Sequence, residues 1–244
     1  CNISYSDVLK QHQNNDADIT IVYKKNDKDN HWKDKRISLK VDENNRITKI
    51  KKARTTKKGT PIYLGTMVVG KEFLKNHILI ACNKGYKSLH QYWADHTSDM
   101  NILGYEFTEY YAYIDSLHTY LNSNLDLLDI NVREDLFRKP YRPIYTSVND
   151  SPPTTYGEDA VVENSIIADG CVINGTVKNS IIFRGVKVEK NATISNSVVM
   201  QDNIIGPNAT LNHIVTDKNV VIGDHRTLCG HETHPFFIDK GSVI

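Results

Sequence analysis

A four-residue phrase recurs along the last third of the chain: Asn164-Ser165-Ile166-Ile167, Asn179-Ser180-Ile181-Ile182, Asn196-Ser197-Val198-Val199 and Asn212-His213-Ile214-Val215. The copies stand 15, 17 and 16 residues apart, and between them a branched apolar residue returns at every sixth position: Ile167 and Ile173; Ile182, Val188 and Ile194; Val199, Ile205 and Leu211; Val215 and Val221. An α-helix repeats every 3.6 residues and a half-buried strand every two, so neither produces strict sixes. A coil of three short strands does, when each strand points one side chain inward and successive coils stack as a parallel β-helix. Turn-forming pairs, Asp169-Gly170, Gly206-Pro207 and Gly223-Asp224, supply the corners. Intervals slightly below three sixes imply shortened corners. The sixth-position residues therefore read as core rather than as site residues.

Upstream the texture is mixed. Residues Tyr5 to Gln13 carry apolar positions at helical spacing and lead into the strand-like Ile19-Thr20-Ile21-Val22-Tyr23. The polar stretch from Lys24 to Lys35 suits an exposed loop. Strands around Ile37-Leu39-Val41 and Ile47-Lys49-Ile50 flank Asp42-Glu43-Asn44-Asn45, a hairpin signal. Tyr63 to Val69 reads as a buried strand, Lys71 onward as a helix, and Ser88 to Ala94 and Ile114 to Leu128 as two more. Pro140, Pro143, Pro152 and Pro153 then disfavour helix through one connection. The expected organisation is a mixed α/β region over 1–139, a Pro-rich connector over 140–156 and the repeat domain over 157–244.

Charge is nearly balanced, with 30 Lys+Arg against 29 Asp+Glu, which gives no electrostatic reason to expect nucleic acid or a membrane as partner. No apolar run of about 18 residues is present, and the N-terminus lacks the layout of a signal peptide. Four cysteines without a C-x-x-C pair indicate neither a zinc site nor a disulfide framework, so a cytoplasmic setting is expected. Cys1 runs directly into a helix-like pattern without an initiator Met, the expectation being a fragment of a longer protein.

Ile144-Tyr145-Thr146 followed by Pro152-Pro153-Thr154, together with Ser123-Asn124-Leu125-Asp126-Leu127-Leu128, is similar to the interdomain "PIYT…LPP" and "ANMDLL" segments of the bacterial glucose-1-phosphate adenylyltransferase (ADP-glucose pyrophosphorylase) family. The ending, Lys240-Gly241-Ser242-Val243-Ile244, resembles that of its GlgD-type subunit. The resemblance covers essentially the whole chain. It implies an α/β nucleotidyltransferase domain, here lacking its N-terminal part, followed by a left-handed parallel β-helix. It also implies a role in making ADP-glucose and pyrophosphate from ATP and glucose 1-phosphate for glycogen synthesis, in an oligomer whose catalytic subunit uses Mg²⁺.

Three departures separate the chain from catalytic members. Their "YWRDVGT" segment, whose Asp helps hold Mg²⁺, aligns with Tyr110-Tyr111-Ala112-Tyr113-Ile114-Asp115-Ser116, so Tyr113 stands at the metal-ligand position. A phenol, with a pKa of about 10, gives a hard cation no anionic oxygen at neutral pH. The sugar-phosphate segment "EKP" becomes Lys51-Lys52-Ala53-Arg54, and "SMGIY" becomes Tyr63-Leu64-Gly65-Thr66-Met67, keeping Gly65 alone as a remnant of the substrate pocket. The expected subunit is therefore inactive alone and regulatory, binding no cofactor itself, with a catalytic subunit or a second copy as partner.

Lys51, Lys52, Arg54, Lys57 and Lys58 form a local positive cluster suited to a sugar-phosphate or nucleotide effector, against the plain reading of a solvated surface loop. His225, His231 and His234 lack the spacing of a closed metal site. Asn191-Ala192-Thr193 and Asn208-Ala209-Thr210 match the glycosylation sequon but fall at β-helix corners. Two other classes remain: a pure assembly module, and a hexapeptide acyltransferase in which His213, where the other copies have serine, would be the base.

Overall fold

The computed structural model describes residues 1–27, 29–147 and 150–244, with the side chains of 30–34 left aside. Two compact units divide it, one formed by 3–109, the other by 110–244 with Cys1 and Asn2.

In the first unit, β1 (Ile19–Lys25) is the most deeply buried strand, its first five residues all being buried. A strand buried on both faces belongs inside a sheet. β1 accordingly lies between β4 (Pro61–Val69), antiparallel to it, and β5 (Ile102–Glu106), parallel to it. β2 (Asn30–Val41) and β3 (Ile47–Thr56) form the expected hairpin and extend the sheet, giving the order β3-β2-β4-β1-β5. Asp42 sets the turn by accepting from Asn44 N at 2.9 Å and Arg46 N at 2.8 Å. The polar stretch 24–35 differs from the loop expected: β1 runs to Lys25 and β2 begins at Asn30. Backbone pairing to β3 and β4 continues past the last core side chain, where periodicity gives no signal.

Helix α1 (Tyr5–Asn14) contributes the buried Val8. Helices α2 (Lys71–Asn83) and α3 (Leu89–Asp95) share an apolar cluster with the sheet through Ala81, Tyr92, Trp93, Ile21, Leu39 and Ile50. Ser88 caps α3 by accepting from Gln91 N.

The second unit holds the repeat domain. One face stacks Val161–Glu163, Thr176–Lys178, Thr193–Ser195, Thr210–Asn212 and Thr227–Cys229; the next Ile166–Ile167, Ile181–Ile182, Val198–Val199, Ile214–Thr216 and Phe236–Ile238; the third Thr155–Tyr156, Val172–Ile173, Lys187–Val188, Ile204–Ile205 and Val221–Ile222. Every neighbouring pair is parallel, which makes a parallel β-helix. Ile173, Ile182, Val188, Ile194, Val199, Ile205 and Leu211 are all buried inside it, as their spacing predicts.

The fourth copy needs a correction. Val198 pairs with Val215 and Ser195 with Asn212, so the last interval is 17 rather than 16. His213 then occupies the corner held by Asn164, Asn179 and Asn196, with φ of 52° beside their 43°, 45° and 48°. Asparagine visits this left-handed region more readily than other side chains, which explains its recurrence. Ile214 takes the serine position: Ser165, Ser180 and Ser197 accept through Oγ from the backbone N of Ser180, Ser197 and Ile214 at 3.1, 3.1 and 3.0 Å. Val215 consequently belongs to a separate cluster with Ile181 and Val198, and Ile222, not Val221, is buried. The phrase Asn-His-Ile-Val matches the repeat one residue out of register.

Helix α4 (Leu117–Leu125), a 3₁₀ turn (Asp126–Leu128) and α5 (Ile130–Phe137) complete this unit. Leu121, fully buried, packs with Ile181, Val198 and Val215 of the second face. The division between units therefore falls at Glu109/Tyr110, ahead of the Pro-rich connector, because these helices pack on the β-helix. Described residues of the connector form no helix or strand before Thr155.

Candidate functional site

The five cations singled out in the sequence divide into two groups. Lys51, Lys52 and Arg54 lie on β3, an edge strand, while Lys57 and Lys58 lie in the turn to β4, where Lys58 N donates to Asp29 Oδ1 at 2.7 Å. The expected surface loop is thus half strand. Lysines on a sheet edge discourage pairing with another chain, which accounts for Lys49, Lys51 and Arg54 without any ligand.

Lys51 and Lys52 also line a cavity of about 290 Å³ between β2, β3 and α3. Ile37, Ile50 and Ala94 give it apolar walls, and His90 and Gln91 enter from the first turn of α3. Arg54, Lys57 and Lys58 do not line it. The His90 ring sits 5.7 Å from Tyr63 and 6.0 Å from Trp93, and its Nε2 is buried without a hydrogen-bond partner among the described residues. Burial, and secondarily the Lys52 ammonium, hold the His90 imidazole below its ordinary pKa, so it is neutral at pH 7. Burial likewise pushes the Tyr63 phenol up. Sequence reading passed over His90 because a lone histidine in a helix has no metal or triad spacing.

Gly65 sits in a bulge of β4, where Tyr63 and Met67 face Tyr23 and Ile21 with one residue between on β1 and three on β4. Its φ is +82°, and a Cβ there would meet no protein atom within 4 Å, so the backbone conformation rather than protein packing favours the glycine. It does not line the cavity.

Tyr113 lies in the segment between β5 and α4 and is half exposed. Nearby, Tyr110 Oη donates to Asp126 Oδ2 at 2.7 Å, and Asp115 accepts from Thr119 Oγ1 at 3.1 Å. Among the described residues no group of three or more His, Cys, Asp or Glu is arranged to hold a metal ion. His231 Nδ1 and His234 Nδ1 both contact Thr233 Oγ1, at 3.0 and 2.8 Å, and His225 stands 3.6 Å from Asp224. Asn191 and Asn208 build a corner ladder, Nδ2 of the first donating to Oδ1 of the second at 3.2 Å. Among the described residues no helix is long and apolar enough to cross a membrane.

The stacked coils define a hexapeptide-repeat protein, and residues 153–234 match the family model described as GlmU-like, C-terminal hexapeptide. Over 190 residues the chain is 31% identical to the glycogen biosynthesis protein GlgD of Bacillus subtilis (strain 168), covering 78% of this chain and 45% of that protein. Over 121 residues it is 63% identical to the glycogen biosynthesis protein GlgD of Geobacillus stearothermophilus, covering 50% of this chain and 35% of the relative. The chain is similar to these two GlgD proteins over the matched residues and spans less than half the length of either.

Proposed function

We propose that the whole protein acts in glycogen biosynthesis as a non-catalytic, regulatory subunit of glucose-1-phosphate adenylyltransferase. The catalytic partner joins ATP and glucose 1-phosphate to give ADP-glucose and pyrophosphate, and this subunit adjusts its rate or its response to an effector. A cytoplasmic hetero- or homo-oligomer is part of this reading. Support comes from the names of the two relatives and from Tyr113, the observation that carries the inactive half of the proposal. Joining two polyanions demands positive charge where negative charge gathers, and a metal ion supplies several kcal/mol of that stabilisation. Each 1.4 kcal/mol is about tenfold in rate, so loss of one carboxylate ligand lowers turnover by orders of magnitude. Lys51-Lys52-Ala53-Arg54 compounds the loss by removing the family's Glu and Pro beside the sugar-phosphate lysine.

The test is Mg²⁺-dependent pyrophosphate release by the full-length protein, alone and mixed with a catalytic subunit from the same organism. The expected result is negligible release alone and an altered rate or effector response in the mixture. Robust turnover by the isolated protein would overturn the proposal.

A further inference from the structure

The connector after α5 carries the two most exposed aromatic side chains among the described residues: Tyr141 is fully exposed and Tyr145 is 90% exposed. Tyr141 sits where a glycine would be more comfortable. Arg142 N donates to Lys139 O at 3.3 Å, closing a β-turn with Pro140 and Tyr141 at its centre, and the φ of Tyr141 is +62°. Proline at the first central place and a positive φ at the second define a type II turn, whose second place ordinarily takes glycine. The left-handed backbone is strained for a residue with a Cβ, and such strain persists only where the surroundings hold it. Here Asn2 holds it: Arg142 Nη1 donates to Asn2 O at 2.7 Å, and Asn2 Nδ2 donates to Arg142 O at 3.0 Å and to Leu136 O at 2.8 Å. The ring is carried outward on a fixed tip.

The cations beside these rings are already engaged. Arg138 Nη1 lies 2.8 Å from Glu134 Oε1, Lys139 Nζ lies 2.8 Å from Asp135 Oδ1, and the Arg142 guanidinium is bound to Asn2. A phosphorylated or acidic ligand therefore meets balanced charge, and what remains on offer is neutral: flat aromatic faces edged by hydroxyls. A sugar ring complements that surface, with apolar C–H faces and a rim of hydroxyls, and a tyrosine contacts it at low entropic cost. We propose that Tyr141 and Tyr145 form a platform for a neutral glucan chain, their rings stacking on sugar faces and their phenols bonding sugar hydroxyls. The two stand four positions apart, which limits their Cα separation to about 14 Å, within the span of one oligosaccharide. The choice of a glucan among neutral polymers rests on the glycogen reading, and the platform keeps the subunit beside the polymer named in it.

Maltoheptaose, titrated into the full-length protein by calorimetry, is the soluble probe, and glycogen set in a native gel is the polymeric one. The wild type should bind the first saturably and be retarded by the second. Tyr141→Gly and Tyr145→Ala should each weaken binding about threefold to tenfold, the size expected for one lost aromatic contact. Tyr141→Gly should at the same time raise the urea midpoint, because glycine relieves the left-handed backbone; weaker binding then cannot be ascribed to a damaged fold. Tyr5→Ala, at another exposed tyrosine, should leave binding unchanged. Absence of binding by the wild type, equal weakening by Tyr5→Ala, or full affinity in the Tyr141→Gly/Tyr145→Ala double variant would each overturn the platform. So would a double variant that keeps its glucan affinity but no longer associates with the catalytic subunit, since the rings would then be a protein contact. Glucan binding without any effect on the partner's pyrophosphate release would leave the platform standing and remove the regulatory reading instead.

Discussion

Asn203 is a polar side chain inside a solenoid whose other inward residues are almost all apolar. It is fully buried and fully used: Oδ1 accepts from Val220 N, and Nδ2 donates to Thr216 Oγ1 and, at 3.0 Å, to Asp217 O. Thr216, buried in turn, occupies the inner position that Val199 holds one coil earlier. The pair closes a small polar network across two faces, acceptable in a core only because each member is satisfied. Asn203→Ala would leave the Val220 N–H without its acceptor in a site closed to water. The expected loss is about 2–3 kcal/mol, read as a lower urea midpoint for the transition of residues 110–244. A midpoint equal to wild type would show that the network contributes nothing. At the same scale, the left-handed corners show why asparagine was a visible signal and His213 a misleading one. The backbone demands φ near 50° at that place, and the sequence phrase met the demand one residue away from where it was read.

Among the elements, α4 shows most plainly what spacing reveals. Leu117, Leu121 and Leu125 recur at helical intervals and all join the cluster over the second face of the β-helix. The helix itself was legible, although it starts at Leu117 and tightens into a 3₁₀ turn after Leu125, where the sequence suggested one helix from Ile114 to Leu128. Ser116 decides the start, since its side chain accepts from Thr119 N in a reciprocal cap. What the helix covers was not legible, because an apolar stripe does not name its partner. Leu121→Ala should cost about 2–5 kcal/mol and release α4 from Ile181, Val198 and Val215. Amide exchange over 117–125 should then accelerate, while exchange in the stacked coils beyond Ile204 stays slow. Unchanged protection of α4 would mean that other contacts hold it.

For the whole chain, the repeat made one fold legible to the level of single inward residues, whereas the mixed sheet was legible only as a list of elements. Strict sixes leave one way to stack; the order β3-β2-β4-β1-β5 depends on pairings between distant strands that no local pattern encodes. The cavity beside His90 was half legible, in its lysines, because its other wall arrives from a helix some forty residues onward. Alkaline stability follows from the same sheet. Tyr23 is buried, and its phenol is pushed up to about 12 by burial and by the Glu106 carboxylate it contacts. The folded state thus holds this proton more tightly than the unfolded chain, where a phenol titrates at about 10. The contribution is complete below pH of about 10 and is lost as pH rises toward 12. Denaturation midpoints for residues 3–109 should fall between pH 9 and pH 11.5 by more in the wild type than in Tyr23→Phe, and identical slopes would contradict this.

The first two complete coils differ in length, Ile166 standing 15 residues before its neighbour Ile181 and Ile181 standing 17 before Val198. The difference lies at one corner. Asn174-Gly175 turns in two residues where Glu189-Lys190-Asn191-Ala192 and Gly206-Pro207-Asn208-Ala209 use four. Gly175 fits there because a Cβ would stand 2.4 Å from Ala192 O, so the short corner tucks beneath the long one. A two-residue difference at one corner therefore leaves the pairing on all three faces intact. When such solenoids are aligned with one another, gaps belong at the corners, and a fixed-period alignment that carries them into a strand will set every following inward residue against a corner residue.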